Sequence, residues 1–260
     1  MSNQRFQILG VEVEGLVIDE LNALVADAIA RKERMLLANH NLHSVYLWHV
    51  DAKMRSFYRS ASHIHIDGMP IVLLGQLRGL PLRQEHRVTY VDWMKPLVEL
   101  AAEKEWRIFY LGSRPGVAER GAQILRRQYP GLQIRTAHGY FDTSMSGVED
   151  QAVVNAIKAY DPDLLMLGMG MPRQEHWLVD HLDQLPRAAI LNAGAAMDYV
   201  AGAVPTPPRW AGRCGVEWLF RLIAEPNRLW RRYLLEPWFI LGLFLRDVVH
   251  GFTEGEVTSS

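Results

Sequence analysis

The stretch Leu164-Leu-Met-Leu-Gly168-Met-Gly170-Met-Pro172-Arg-Gln174-Glu175-His-Trp177 decides the fold. A short apolar run, Leu164 to Leu167, reads as a strand. A glycine-rich turn follows, and from Arg173 to Leu182 the apolar residues take on helical period. Strand, turn and helix in that order form the repeating unit of a parallel sheet.

The same pattern recurs on both sides of this stretch. Strands are predicted at Met35 to Ala38, His63 to Ile66, Arg107 to Leu111, Leu132 to Ala137 and Ala188 to Leu191. Helical stretches lie between them at Leu42 to Ser60, Tyr90 to Lys104, Gly116 to Gln128 and Gly147 to Ala159. A helix at Asp19 to Arg34 precedes them, with Leu21, Leu24, Val25, Ala28 and Ile29 on one face, and Phe6 to Gly15 reads as a hairpin. The predicted class is α/β: a Rossmann-like, mainly parallel sheet with helices on both faces, plus a C-terminal helical appendage.

The pattern changes after Asp198. Gly202-Ala-Val-Pro-Thr-Pro-Pro208 carries three prolines in seven residues and reads as a stiff linker. Three short helices are predicted beyond it, at Trp210 to Ile223, Pro226 to Leu235 and Pro237 to His250. The expected organisation is a core over residues 1–204, an Arg-rich helical appendage over 205–250 and a disordered tail over 251–260.

Composition narrows the function. With 28 basic and 29 acidic residues the net charge is −1, which leaves no global basic field for nucleic acid. The apolar fraction of 49% excludes a disordered chain. One cysteine, Cys214, permits no internal disulfide, and MSNQRFQILG lacks the features of a secretory signal, so a cytoplasmic location is expected. The neutral total hides an asymmetry. Of the basic residues, 23 are Arg and five are Lys, and Thr206 to His250 holds seven Arg against four acids, or +3.

In open parallel sheets ligands bind beyond the carboxyl ends of the strands, where helix N-termini offer free N–H groups. Six loops should share that edge: Asn39-His40-Asn41, Asp67-Gly68-Met69-Pro70, Gly112-Ser113-Arg114-Pro115-Gly116, His138-Gly139-Tyr140-Phe141, Gly168 to Glu175, and Asn192-Ala193-Gly194. Turn geometry alone explains any one of these glycines, and Asp67 alone reads as a helix N-cap. All six together mark a site. Asp161-Pro162-Asp163 resembles a metal-binding D-x-D, but it precedes its strand and so lies at the opposite edge, where a turn is the better reading. No metal site is assigned, and no cofactor. A dinucleotide loop lacks its third glycine, so an oxidoreductase rests on fold alone.

Gly168-x-Gly170-x-Pro172-Arg173-Gln174-Glu175-x-Trp177 resembles the signature of the WecG/TagA/CpsF family of bacterial glycosyltransferases. The strand before Asp67-Gly68-Met69, the loop from Leu111 to Gly116 and Gly139-Tyr140-Phe141 match the same pattern. So do Gly215-Val-Glu217-Trp218-Leu-Phe-Arg221-Leu and Glu225-Pro226-x-Arg228-x-x-Arg231-Arg232-Tyr233. The resemblance implies an inverting, metal-independent transfer of a sugar from a UDP-sugar donor to a polyprenyl-pyrophosphate-linked acceptor, at the inner face of the bacterial membrane. It implies that Asp67 is the general base, that Gln174 lies in the donor pocket, and that Arg221, Arg228 and Arg231 belong to an appendage closing over the site. Such a reaction needs a carboxylate for the acceptor proton and cations for the departing diphosphate, and arginine's planar fork suits diphosphate. The competing reading of these arginines is a solvated face or a lipid-binding one.

Two departures stand out. Asn39 occupies a position where much of the family has Thr, beside the implied base, and Thr206-Pro207-Pro208 replaces the usual Arg-Ala-Pro. The Asn39-His-Asn41-Leu-His-Ser44 form most resembles the xanthan-type glucosyltransferase branch typified by GumM, which implies UDP-glucose and a β-1,4 link in exopolysaccharide synthesis. The other family reading is an N-acetylmannosamine or N-acetylmannosaminuronate transferase. Rivals from other classes are a nucleotide-binding oxidoreductase and a non-catalytic assembly partner. Leu234 to Leu245, with Trp238, Phe239 and flanking arginines, reads as an interfacial helix, against packing on the core or on a second copy of the chain.

Overall fold

The computed structural model describes residues 4–206, 211 and 216–250. Its centre is one eight-stranded sheet. The strands Arg5–Ile8 (β1) and Val11–Glu14 (β2) form the hairpin, joined through Leu9 and Gly10, both at positive φ. That is the geometry of a turn whose twist matches the strands it connects. Met35–His40 (β3), His63–Ile66 (β4), Arg107–Gly112 (β5), Gln133–Ala137 (β6), Leu164–Gly168 (β7) and Ala189–Asn192 (β8) follow, and all run parallel. The order across the sheet is β1-β2-β4-β3-β8-β7-β5-β6.

Strand side chains alternate between two cores, as the period of two requires. Leu36, Ala38, Phe109, Leu111, Leu165, Leu167 and Ile190 face the helices Leu42–Val50 (α2), Ala52–Ser60 (α3), Met69–Leu77 (α4), Val148–Tyr160 (α7) and Arg173–His181 (α8). Met35, Leu37, Ile108, Tyr110, Leu164, Met166, Ala189 and Leu191 face Ile18–Arg31 (α1), Tyr90–Glu103 (α5), Val117–Gln128 (α6) and Ala196–Val200 (α9). The predicted α/β sheet with helices on both faces is the one found.

Some boundaries differ. The expected single helix from Leu42 to Ser60 is two, because the Asp51 carboxylate accepts from the backbone N–H groups of Lys53 (2.8 Å) and Met54 (3.2 Å) and starts α3 afresh. β3 runs on through Asn39 and His40, both buried, where the polar residues had suggested a loop. The helix α4, with Pro70 in its first turn, and the short α9 had no separate prediction.

Toward the C-terminus lie Glu217–Ala224 (α10), Pro226–Leu234 (α11) and Glu236–His250 (α12). The expected helix start at Trp210, the prolines 207 and 208, Cys214 and the predicted tail 251–260 lie outside the described residues. One face of α12 packs on α2. Phe239 meets the Tyr46 ring edge-on at 5.3 Å, Ile240 is buried, and Glu236 Oε2 lies 2.7 Å from His43 Nδ1. Among the described residues, no helix is long and apolar enough to cross a membrane.

Candidate active site at the carboxyl edge of the sheet

Register brings the loops together. Gly112 stands opposite Gly168, Leu167 opposite Asn192, and His40 opposite Ile66, so the ends of these strands fall on one line.

Asp67 follows β4 directly, and its backbone N–H donates to His40 O at 2.9 Å. Two amides reach one oxygen of its carboxylate: Asn41 Nδ2 donates to Oδ2 at 3.0 Å and Asn39 Nδ2 at 3.3 Å. Asn41 is itself fixed, because its Oδ1 caps α2 by accepting the N–H groups of His43 and Ser44. The side chain that holds Asp67 is therefore also the start of a helix.

Beneath this cap lies a polar network. Ser44 Oγ donates to Asn41 O at 2.8 Å and lies 2.9 Å from His40 Nδ1. Since the hydroxyl has one proton, His40 must donate from Nδ1, which leaves Nε2 a buried acceptor without a partner. Burial pushes the His40 imidazole down to about 3, so it is neutral. Tyr58 Oη donates to Asn39 O at 2.7 Å and braces the strand from α3.

The other half of the crevice is built from glycine. A Cβ on Gly112 would come 2.4 Å from the Gly168 carbonyl carbon, and one on Gly168 would come 1.8 Å from Tyr110 Oη. No side chain fits where these strand ends meet. Tyr110 Oη bonds Ser113 Oγ (3.2 Å) and donates to Gly194 O (3.3 Å). Ser113 N donates to Gly168 O and Gly139 N to Ser113 O. These bonds join the loops after β5, β6, β7 and β8. Arg173 donates to Phe141 O and its guanidinium lies over the Phe141 ring at 5.7 Å. The exposed Arg114 meets Tyr140, itself exposed. Pro172 follows a cis peptide bond, just before the first turn of α8.

At that turn Gln174 Oε1 accepts from Gly170 N at 3.0 Å, and its Nε2 donates to Glu175 Oε1 at 2.8 Å. Asn192 Nδ2 donates to the same oxygen at 2.7 Å. Glu175 is completely buried, and that burial pushes its carboxyl up to about 7.

The C-terminal helices contribute unequally. Arg231 is exposed, with its guanidinium 5.3 Å from the Trp230 ring centre, and the side chains of Arg221 and Arg228 lie outside the described residues. Among the described residues, it is Arg232 whose charge acts on both Glu175 and His43. In the sequence it stands in the matched Arg228-x-x-Arg231-Arg232-Tyr233 motif and beside the expected interfacial helix, with no place in the expected closure. At the opposite edge, Asp163 Oδ2 accepts from Arg107 N at 2.8 Å and Asp161 pairs with the Arg107 guanidinium at 3.0 Å. Among the described residues, no three His, Cys, Asp or Glu side chains gather into a group able to hold a metal ion.

Glycine-built strand ends and a carboxylate held by two amides thus share the carboxyl edge of a mainly parallel α/β sheet, the place where such sheets bind their ligands. The sequence goes further: residues 6–252 match the glycosyl transferase WecG/TagA/CpsF family. The chain belongs to that family, and it is a glycosyltransferase. It is similar to the N-acetylglucosaminyldiphosphoundecaprenol N-acetyl-beta-D-mannosaminyltransferases of Staphylococcus aureus strains NCTC 8325 / PS 47 and COL. Each is 26% identical over 237 residues, covering 87% of this chain and 87% of the relative. The protein of that name from strain MRSA252 is 25% identical over the same length.

Proposed function

We propose that this chain transfers a hexose, with inversion and without a metal, from a UDP-sugar to a polyprenyl-pyrophosphate-linked sugar in surface or exopolysaccharide synthesis. The observation that carries the reading is Asp67, fixed by Asn39 and Asn41 at the carboxyl edge of the sheet on which the glycine-built ends of β5 and β7 also lie. In the reaction the acceptor hydroxyl oxygen attacks the anomeric carbon from the face opposite the diphosphate. Asp67 takes the hydroxyl proton, the bond from the anomeric carbon to the diphosphate oxygen breaks, and UDP leaves with the electron pair. General-base assistance of this kind contributes about 100-fold to 10,000-fold.

The departing diphosphate needs positive charge. The positive N-terminal end of α8 supplies part, and Arg221, Arg228 and Arg231 the rest, each able to hold phosphate oxygens through its fork. Residues 1–204 act as the catalytic core and 205–250 as the appendage that closes on it. Trp218, Trp230, Leu234, Leu235, Trp238 and Leu245 are exposed beside Arg231 and Arg246, which supports attachment to the inner membrane surface, where the acceptor lies.

Two donors compete. The Asn39-His40-Asn41 form favours UDP-glucose and a β-1,4 link, whereas the activity that the relatives are named for favours N-acetylmannosamine onto N-acetylglucosamine. The test incubates purified protein and EDTA with synthetic lipid-pyrophosphoryl sugars and a panel containing UDP-glucose and UDP-N-acetylmannosamine. A product of inverted anomeric configuration is expected. Strict dependence on a divalent metal overturns the arginine mechanism, and reduction of a carbonyl by a nicotinamide cofactor favours the oxidoreductase.

A further inference from the structure

Glu175 and Asn192 each carry a buried oxygen that bonds to nothing. Glu175 Oε1 accepts two amide N–H groups, from Gln174 and Asn192, yet its Oε2 has no partner, and neither has Asn192 Oδ1. Both residues are fully buried. Two unsatisfied acceptors on side chains already joined by a hydrogen bond are a specific defect, since a buried polar group without a partner costs about 1–3 kcal/mol. A single proton on Glu175 would satisfy both.

We propose that Glu175 works as a neutral carboxylic acid, a positioning residue that donates from Oε2 to the Asn192 amide oxygen while Oε1 holds the Gln174 amide in place. An acid and a primary amide paired in this way exchange one O–H and one N–H bond, and both orphaned oxygens are then satisfied. Glu175 touches no substrate itself. It acts through Gln174, which also anchors Gly170 N, and through Asn192 at the end of β8, next to the Gly194 loop. Its role therefore rests on the reading of this crevice as the donor site.

The surroundings agree. Tyr58, from α3, presents a hydroxyl that burial keeps protonated, and His40, from β3, is neutral. Asp67, from the end of β4, also acts electrostatically on Tyr58. Among the described residues, the cation acting on Glu175 is Arg232, from α11, and it favours the carboxylate, but burial outweighs it. The group's value rises from 4.5 to about 7. Between those values the folded chain keeps a proton that the unfolded chain has released, so stability falls as pH rises through that window.

The experiment compares Glu175→Gln and Glu175→Ala with the unchanged full chain. Glutamine supplies N–H where the acid supplies O–H. Three readouts are taken: the carboxyl stretch in wild-type-minus-Gln infrared difference spectra, the thermal midpoint against pH, and kcat and KM for the UDP-sugar. At about pH 6 the difference spectrum should show a protonated carboxyl, which a carboxylate on water-exposed glutamate would not give there. Between pH 5 and 8 the wild type should lose more stability than Glu175→Gln. Turnover of Glu175→Gln should stay within about threefold, because both partners keep their bonds. Glu175→Ala should raise KM for the donor, with a fall in kcat/KM on the order of 100-fold from misplacing Gln174. A carboxylate band at that pH, or a glutamine variant as damaged as the alanine one, overturns the proposal. The infrared and thermal readouts decide it even if the chain turns over none of the sugars offered, an outcome that would count against the proposed function instead.

Discussion

Aspartates stand at both edges of the same sheet, and their surroundings differ in kind. At the amino edge, Asp163 accepts the backbone N–H of Arg107 and Asp161 pairs with its guanidinium, so both serve to fasten β5 to β7. At the carboxyl edge, Asp67 is held by the side-chain amides of Asn39 and Asn41, which orient its carboxylate. The residue type is the same, and strand direction separates the roles. Only the carboxyl edge also gathers the glycine loops and the helix N-termini that an anionic ligand requires.

The comparison can be broken by substitution, and the largest effect should come from Asp67→Asn. It keeps the shape but removes the proposed base, so turnover should fall about 100-fold or more, with the thermal midpoint nearly unchanged. Survival of turnover within about tenfold, with the fold intact, would remove Asp67 from that role. Next comes Gly168→Ala, whose Cβ would lie 1.8 Å from Tyr110 Oη. Forcing atoms into a packed strand end costs about 1–3 kcal/mol, so denaturant unfolding should shift by that amount and donor binding should weaken with it. Asp163→Ala should show the converse. Losing a charged acceptor for Arg107 N costs about 1.5–3 kcal/mol by the same measurement, while turnover per folded molecule stays at the wild-type level. The smallest effect belongs to the clasp between α2 and α12. His43→Gln, which removes the imidazole hydrogen bond to Glu236, should cost about 1 kcal/mol, and should raise KM for the lipid acceptor more than for the UDP-sugar.

Much of this was legible in the sequence because the strands are short apolar runs with glycine at their carboxyl ends. The run Leu164 to Leu167 with Gly168 fixes both a strand and the direction in which the site lies. The break at Asp51 was not legible. Apolar residues continue on both sides of it, and only the cap it makes reveals two helices. Nor was the polar floor. His40, Ser44 and Tyr58 come from a strand and two helices, and the bonds joining them exist only once register sets β3 beside β4 and α3 beneath. Glu175 stood in a readable motif, yet its complete burial, and hence its dependence on Gln174 and Asn192, follows from how α8 packs on the end of β8. Among the arginines, the matched motif assigned closure to Arg228 and Arg231, whereas in the structure it is Arg232 whose charge acts on Glu175 and His43.

The most direct test of the central claim is the crystal structure of this chain with UDP bound. The diphosphate is predicted to lie at the carboxyl edge, over Gly112, Gly168 and the first turn of α8, with the uridine side away from Asp67 so that the carboxylate faces the sugar position. UDP bound at the amino edge by Arg107, or anywhere that leaves Asp67 out of reach of the diphosphate's sugar-bearing end, would contradict the account.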